Sequence, residues 1–356
     1  MRLVVIPGDG IGPEITAATL EVLRAADARF GLGLSFREER AGREAMARDG
    51  TSLRPEVVEA VKAADGFVLG PVDSIGLGDP AKGEINPSGF FRRKLDLYAN
   101  IRPARTYPGV RAPLGKDFDL VIVRENTEGF YADRNMEEGN AELLVTPEVV
   151  VSLRRITWRC CERIARAAFR LAARRRKKVT AVHKANVLRK GDGMFLEACR
   201  AVAKDFPEVA LDTAIVDAMA ALLVRDPARF DVIVTTNMFG DILSDLTAEL
   251  SGSIGLGGSI NAGDRHAMAQ AAHGSAPDIA GQDKANPISL ILSAAMLLAW
   301  HAERTGNNAF AGAAGAIERA VAASVAAGET TRDLGGPLGT AAAGRAIAAR
   351  VAAAPA

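Results

Sequence analysis

Asp241 and Asp245 stand four residues apart in FGDILSD, a spacing that puts both carboxylates on one face of a helix. A third, Asp217, follows a strand-like run in IVDAM. Such hard oxygen ligands suit Mg²⁺ or Mn²⁺, ions that keep some waters and also bind a substrate's own oxygens. Helix capping and dipole compensation also explain two aspartates at this spacing, so the pair needs company before it means a metal. Arg92 and Arg102 in FFRRKLDLYANIRPAR and Arg124 in VIVREN supply planar guanidinium forks. Forks of this kind bind carboxylates bidentately, and three of them converging would suit a di- or tricarboxylic acid.

Tyr131 in NTEGFY and Lys184 in VHKANV each lie just beyond a predicted strand and form a candidate proton-transfer pair. A lysine near a bound cation titrates closer to neutrality, and a tyrosine can hand a proton to a carbanion. Two further segments suit a nucleotide. The turn GDGIGPE, Gly8–Glu14, runs from a strand into a helix N-terminus, where backbone amides and the helix dipole can meet an anion. Its glycines follow G-x-G-x-G rather than the G-x-G-x-x-G of the dinucleotide fingerprint, which argues against a Rossmann site. The polar loop HGSAPDIAG, His273–Gly281, followed by Asn286-Pro287, could wrap a flat cofactor. Within it Asp278 could accept hydrogen bonds from a ribose diol and repel a 2′-phosphate, which favours NAD.

These groups need a scaffold, and the chain alternates short β-branched runs with Ala-, Leu- and Arg-rich helical stretches, the pattern of an α/β protein. Leu3–Ile6, Gly66–Leu69, Leu120–Val123, Val179–Val182 and Val232–Thr235 read as strands buried on both faces. Helices are expected over 13–30, 55–64, 149–174, 195–205, 242–250, 288–304, 308–327 and 338–353. A proline break at Asn100–Pro103 and the Gly/Ser-rich stretch 251–264 read as crossings between structural units.

At 356 residues the chain has room for about two domains. Its 44 basic and 43 acidic residues leave a net charge of +1, which offers no global attraction to nucleic acid or to anionic membrane. The basic run ARRRKK, Ala173–Lys178, reads as a solvated helix C-terminus. The most apolar stretch, 288–300, is shorter than the ~20 residues of a membrane span. No signal core opens the sequence, and Cys160, Cys161 and Cys199 lack metal-site spacing, so a reducing, cytoplasmic setting is expected.

Together GDGIGPE, LDLYANIRPAR, VRENTEGFY, HKANV, IVDAM, NMFGDILSDL and HGSAPDIAG closely resemble, in order, the β-decarboxylating dehydrogenases that act on isocitrate, homoisocitrate, 3-isopropylmalate and tartrate or D-malate. The resemblance implies the α/β isocitrate/isopropylmalate dehydrogenase-like fold, with two α/β domains flanking an active-site cleft and no Rossmann fold. It implies a large discontinuous cofactor-binding domain of residues 1–101 and 253–356, and a small domain, 102–252, carrying the dimer contact. Arg92, Arg102 and Arg124 would hold the malate-core carboxylates, and Asp241 and Asp245, with Asp217 of the other subunit, would hold Mg²⁺ or Mn²⁺. Lys184, also from the other subunit, would take the hydroxyl proton, and Tyr131 would protonate the enolate left by decarboxylation. NAD would lie against Ile11, His273, Gly274, Ser275, Ala276, Asp278, Ile279 and Asn286. A homodimer with shared sites follows.

Substrate choice rests on INPSGFFR, the segment before Arg92. Isopropylmalate enzymes typically carry leucines three and four residues before this arginine, where this chain has Gly89 and Ser88. Isocitrate enzymes usually carry Ser and Asn at six and four residues before it; Asn86 and Ser88 occupy those places in swapped order. The expected substrate is therefore isocitrate- or homoisocitrate-like, with 3-isopropylmalate, tartrate and D-malate as alternatives. AQAAHG puts Gln270 where the family usually has Glu, a change expected on the nicotinamide side of the pocket. A non-catalytic regulatory subunit is the rival reading, and the presence of Tyr131, Lys184 and all three aspartates speaks against it.

Overall fold

The computed structural model describes residues 1–73, 77, 79–131, 135–136 and 141–355. The first apolar run forms β1 (Arg2–Ile6), whose last four residues are buried, so it has neighbours on both edges and layers on both faces. It lies between β2 (Ser35–Glu38) and β3 (Gly66–Leu69), parallel to both. The crossovers are α1 (Gly12–Phe30), α2 (Arg43–Asp49) and α3 (Pro55–Ala63). Prolines open α1 and α3 in the first turn, and Gly31 closes α1 in the left-handed region. After α4 (Pro87–Lys94), β4 (Ala99–Arg105) and β5 (Asp119–Glu125) pair antiparallel.

A separate hairpin, β6 (Glu142–Thr146) and β7 (Val149–Ser152), precedes α5 (Trp158–Ala173). Then come β8 (Lys178–His183), α6 (Gly191–Ala203), β9 (Ala210–Ile215), α7 (Val216–Arg225), β10 (Val232–Thr235) and α8 (Asn237–Leu250). The short strands β11 (Ile260–Ala262) and β12 (Ala267–Gln270) lead to α9 (Ile288–Thr305), α10 (Asn308–Ala326) and α11 (Thr340–Ala352). Ten strands make one sheet in the order β2-β1-β3-β12-β11-β4-β5-β10-β8-β9. Its centre, β12-β11-β4-β5, is antiparallel, and each flank is parallel.

Three expectations need correction. Residues 149–174 are not one helix: Val149–Ser152 is an exposed strand, and α5 starts only after Thr157, whose side chain caps it by accepting from Cys160 N. Three consecutive valines favour extended backbone over helix. The proline break lies inside β4, in the middle of the sheet. Strand β11 pairs only with Ala99–Ile101, and Val121, opposite Pro103, sends its N–H to Asp231 on the other side. Pro103 thus sits where no ladder bond is lost. The Gly/Ser-rich stretch is likewise more than a crossing, since it contains the buried core strand β11.

The buried apolar residues fall into four clusters. Two draw on the chain from Leu3 to Tyr107 and from Leu256 to Val351; the other two draw on Ala99 to Leu250. Helix α10 is long and apolar enough to cross a membrane by length and composition, yet half of it is buried in the largest cluster, against α9 and α11. The ARRRKK run is anchored rather than free. Arg174 pairs with Glu303, Arg175 with Asp119 and Asp231, and Arg176 donates to the Phe230 carbonyl. Cys161 and Cys199 are buried helix residues and Cys160 is half-buried; all three are free thiols.

Candidate active site

Antiparallel pairing sets Asn100 opposite Arg124, and the period of two puts Arg102 on the same face of the sheet. Helix α8 crosses that face, with Asn237, Asp241, Ser244 and Asp245 along one side. Gly240 lets the helix come this close: an added Cβ would stand 2.6 Å from Cβ and Cγ of Arg124. Arg124 is 1% exposed. Its Nε donates to Asn237 Oδ1 at 2.8 Å, and its Nη1 makes a short ion pair with Asp241. Its buried Nη2 has no acceptor among the described residues. Arg102 donates from Nε to Asn100 Oδ1 at 2.7 Å, and from Nη1 to Ser244 Oγ at 2.8 Å and Asp245 Oδ1 at 3.2 Å. Asn100 is fixed in turn by Ser259 and the Ile260 carbonyl.

The Tyr131 hydroxyl donates to the other oxygen of Asp241 through a short hydrogen bond, and its ring lies 5.2 Å from the Arg124 guanidinium. Burial raises the Asp241 pKa, but Arg124 and Arg102 outweigh it and hold the carboxyl below its ordinary range. Asp245 goes the other way: burial, with the Asp241 charge beside it, pushes its carboxyl up despite Arg102. The two predicted carboxylate-binding arginines on the sheet, the predicted proton donor and two predicted metal ligands thus form one connected cluster.

Lys184 and Asp217 form a second, separately bonded pair. Their side chains form a short ion pair with each other near the surface, and Lys184 holds the Asp217 carboxyl below its ordinary range. No bond links the pair to Asp241 or Tyr131 among the described residues. Within one chain, no group of three or more His, Cys, Asp and Glu among the described residues could hold a metal. Asp241 and Asp245 fit a hard divalent cation as two oxygen donors, with waters and substrate oxygens able to take the remaining positions.

On α4, Arg92 is buried and donates from Nη2 to Gln270 Oε1 at 2.9 Å, while Ser88 Oγ reaches the same oxygen at 3.0 Å. Asn86 caps the helix, its Oδ1 accepting from Gly89 N at 3.2 Å. The Arg92 charge also acts on Asp241, which ties this group to the cluster on β4, β5 and α8. Gln270, expected on the nicotinamide side, is thus bonded to two predicted substrate residues, a placement that its position in AQAAHG did not signal.

The two nucleotide segments meet. Ile11 N donates to the Ser275 carbonyl at 2.8 Å, and a Cβ on Gly10, at φ 59°, would sit 2.0 Å from that oxygen. The Asp9 carboxylate accepts from Arg43 N and Asp73 N and secures the turn. Pro277–Ile279 forms a single 3-10 turn with Asp278 exposed on it, after Ala276 in the left-handed region and the exposed Gly274. Asn286 donates to Asp333 and caps the start of α9. Burial pushes the His273 imidazole pKa below its ordinary value, and its buried Nε2 has no partner among the described residues. A buried ring nitrogen of this kind, beside an exposed acid and open backbone, fits a flat polar heterocycle with a diol.

The sequence matches the family described as isocitrate/isopropylmalate dehydrogenase over residues 2–347. It is similar to an isocitrate/homoisocitrate dehydrogenase of Thermus thermophilus, 45% identical over 94% of this chain and 94% of the relative. It is also similar to a 3-isopropylmalate dehydrogenase of Archaeoglobus fulgidus, 42% identical over 95% of this chain and 96% of the relative. Among solved structures, isocitrate dehydrogenase from Methylococcus capsulatus superposes with a TM-score of 0.87 at 40% identity, covering 98% of this chain and 99% of that one.

Proposed function

The chain belongs to the isocitrate/isopropylmalate dehydrogenase family of oxidoreductases and has its fold, and from that premise we propose that it catalyses NAD-dependent oxidative decarboxylation of a malate-core 2-hydroxy acid. The substrate in this reading carries a third carboxylate on its side group, as isocitrate and homoisocitrate do. One observation carries it: buried Arg124, whose Nη2 has no acceptor among the described residues, and Arg102 converge on the carboxylate that also receives the Tyr131 hydroxyl. Polar Ser88 and Gln270 beside Arg92 support an anionic side group over the isopropyl group of the alternative, 3-isopropylmalate.

In this reading Ile11, the His273–Ile279 loop and Asn286 hold NAD, and Asp241 and Asp245 with Asp217 of a second copy hold Mg²⁺ or Mn²⁺. When bound, the nucleotide supplies the hydride acceptor and the cation supplies Lewis acidity. The arginines fix the substrate carboxylates by paired hydrogen bonds. Lys184 of a second copy takes the hydroxyl proton as the hydroxyl carbon is oxidised to a ketone. Tyr131 then gives its proton to the carbon that CO₂ leaves, and Asp241 holds its hydroxyl in place until that step.

That no bond among the described residues joins Lys184 and Asp217 to the arginine cluster supports a homodimer with shared sites. So does the β6–β7 hairpin, whose Leu143, Leu144, Val145, Val149, Val150 and Val151 are all exposed. The two pairs of core clusters would then be the cores of a large discontinuous domain and a smaller middle one. The free thiols fit a cytoplasmic enzyme. The test is NADH and CO₂ release by the purified protein with NAD⁺ and Mn²⁺ on isocitrate, homoisocitrate, 3-isopropylmalate, D-malate and tartrate. Equimolar NADH and CO₂, with the highest kcat/KM on a tricarboxylate, is the expected result. Turnover confined to 3-isopropylmalate would reject the substrate assignment, and no turnover on any of the five would reject the activity.

A further inference from the structure

Arg154 lies two residues after β7, and its backbone is fixed beside the turn that leads to Tyr131. Leu153 N donates to the Ala141 carbonyl, Arg155 and Gly129 exchange both of their backbone bonds, and Thr157 N donates to Glu128 Oε1. The Arg154 side chain is 11% exposed and meets three segments of the chain. Its Nη2 donates to Asp192 Oδ1 at 2.6 Å and to Thr236 Oγ1 at 3.3 Å. Its guanidinium carbon lies 5.4 Å from the centre of the Phe130 ring and 6.0 Å from that of Phe239. Each partner adjoins a residue of the candidate site. Phe130 precedes Tyr131. Thr236 is the N-cap residue of α8, the helix of Asn237, Asp241 and Asp245, and Phe239 lies on the first turn of that helix. Asp192, fully enclosed at the start of α6, accepts the Lys184 backbone N–H on its other oxygen at 2.5 Å.

A guanidinium suits this place, because its planar fork of donors and weakly hydrated faces let one side chain join an acid, a hydroxyl and two rings. Little room is left for it to shift: a Cβ on Gly191, the first residue of α6, would stand 3.1 Å from Arg154 Nη1. The Asp192 carboxylate has no exposure, so pairing with Arg154 compensates a charge that water cannot reach. We propose that Arg154 is a positioning residue that sets Lys184, Tyr131 and the α8 carboxylates relative to one another, with Asp192 as the relay to the Lys184 backbone. The inference rests on the proposed function, in which Lys184 enters the site of a second copy while Tyr131 and Asp241 serve their own. One arginine then supports two active sites of a dimer, and its loss is felt in both.

The test removes the pair together, as Arg154→Met with Asp192→Asn, so that no lone charge is left buried. On whichever of the five acids named above turns over fastest, kcat should fall about tenfold or more while KM stays within about threefold, since Arg92, Arg102 and Arg124 are untouched. Arg154→Lys, which keeps a cation beside Asp192, should keep kcat at least threefold above that of the double variant. Unchanged kcat in the double variant, or no recovery with lysine, overturns the proposal. The double change is then placed in one chain of a mixed dimer whose single intact site joins Tyr131 of a Lys184→Met chain to Lys184 of a Tyr131→Phe chain. Activity should fall whichever chain carries it; a fall from one side only overturns the two-site role. Hydrogen exchange needs no turnover. The amides of Gly129, Lys184 and Gly240, bonded to Arg155, Asp192 and Thr236, should lose protection together in the double variant. If the wild-type protein turns over none of the five acids while these amides lose protection together, the activity is wrong and the linkage stands. If it turns over and neither kcat nor exchange moves, the linkage alone is wrong. Should the double variant lose its near-UV circular dichroism, Thr236→Val, which removes only the Arg154 bond to α8, must lower kcat without moving KM.

Discussion

Asp241 receives a buried arginine on one oxygen and a tyrosine hydroxyl on the other, so three residues from β5, the segment after it and α8 act as one unit. Removing the hydroxyl alone tests whether it moves a proton. Tyr131→Phe should lower turnover by about 10²-fold or more, the usual scale for a lost general acid, while its circular dichroism and thermal midpoint stay close to wild type. Near-normal turnover would remove Tyr131 from the chemistry. Lys184→Met should be as inactive and as well folded, because among the described residues its side chain pairs only with exposed Asp217. The identities of these residues were legible in short motifs, since catalysis constrains side-chain type. Their grouping was not: the Tyr131–Asp241 bond spans 110 residues, and no local spacing encodes it. Gln270 shows the same limit. Its neighbours Ser88 and Arg92 lie 182 and 178 residues away, so only the sheet order brings them together.

At the scale of elements, the approach of α8 to β5 sets the position of Arg124. A methyl group in an exposed helix position ordinarily stabilises a glycine site by about 1 kcal/mol. At Gly240 it collides with Arg124 instead, so Gly240→Ala should lower both kcat/KM, by about tenfold or more, and stability, by about 1–3 kcal/mol. Wild-type kinetics would mean that the helix yields freely. Just after β5, Glu128 is buried and accepts from Thr157 at the start of α5, and burial, with Glu125 nearby, raises its carboxyl to about 7. The folded state therefore binds this proton more tightly than the unfolded state does. Its contribution is full below the unfolded value near 4.5 and declines as pH rises to about 7, by about 3 kcal/mol in total. Glu128→Gln should remove that slope from urea midpoints measured across this window; an unchanged slope would place the titration elsewhere. The five sandwiched strands were legible because burial on both faces leaves continuous apolar runs. The β6–β7 hairpin was not, because it lies outside the main sheet with its apolar residues exposed. Strand β4 was hidden by a proline that its open edge accommodates.

At the scale of the molecule, no bond among the described residues joins the group of Arg102, Arg124, Tyr131, Asp241 and Asp245 to the Lys184–Asp217 pair. In the proposed function a second copy closes the site, and the completed site oxidises and decarboxylates a 2-hydroxy acid. Mixing Tyr131→Phe and Lys184→Met chains tests this directly. Each alone is inactive, but a mixed dimer has one site in which Tyr131 of one chain meets Lys184 of the other, both intact. After unfolding and refolding together in equal amounts, isocitrate-dependent NADH formation should return to about a quarter of the wild-type level, the share expected from random pairing of two chains in a two-fold dimer. Recovery near that level would establish the shared site. A mixture as inactive as its parents, with mixed dimers demonstrated by mass spectrometry, would contradict it.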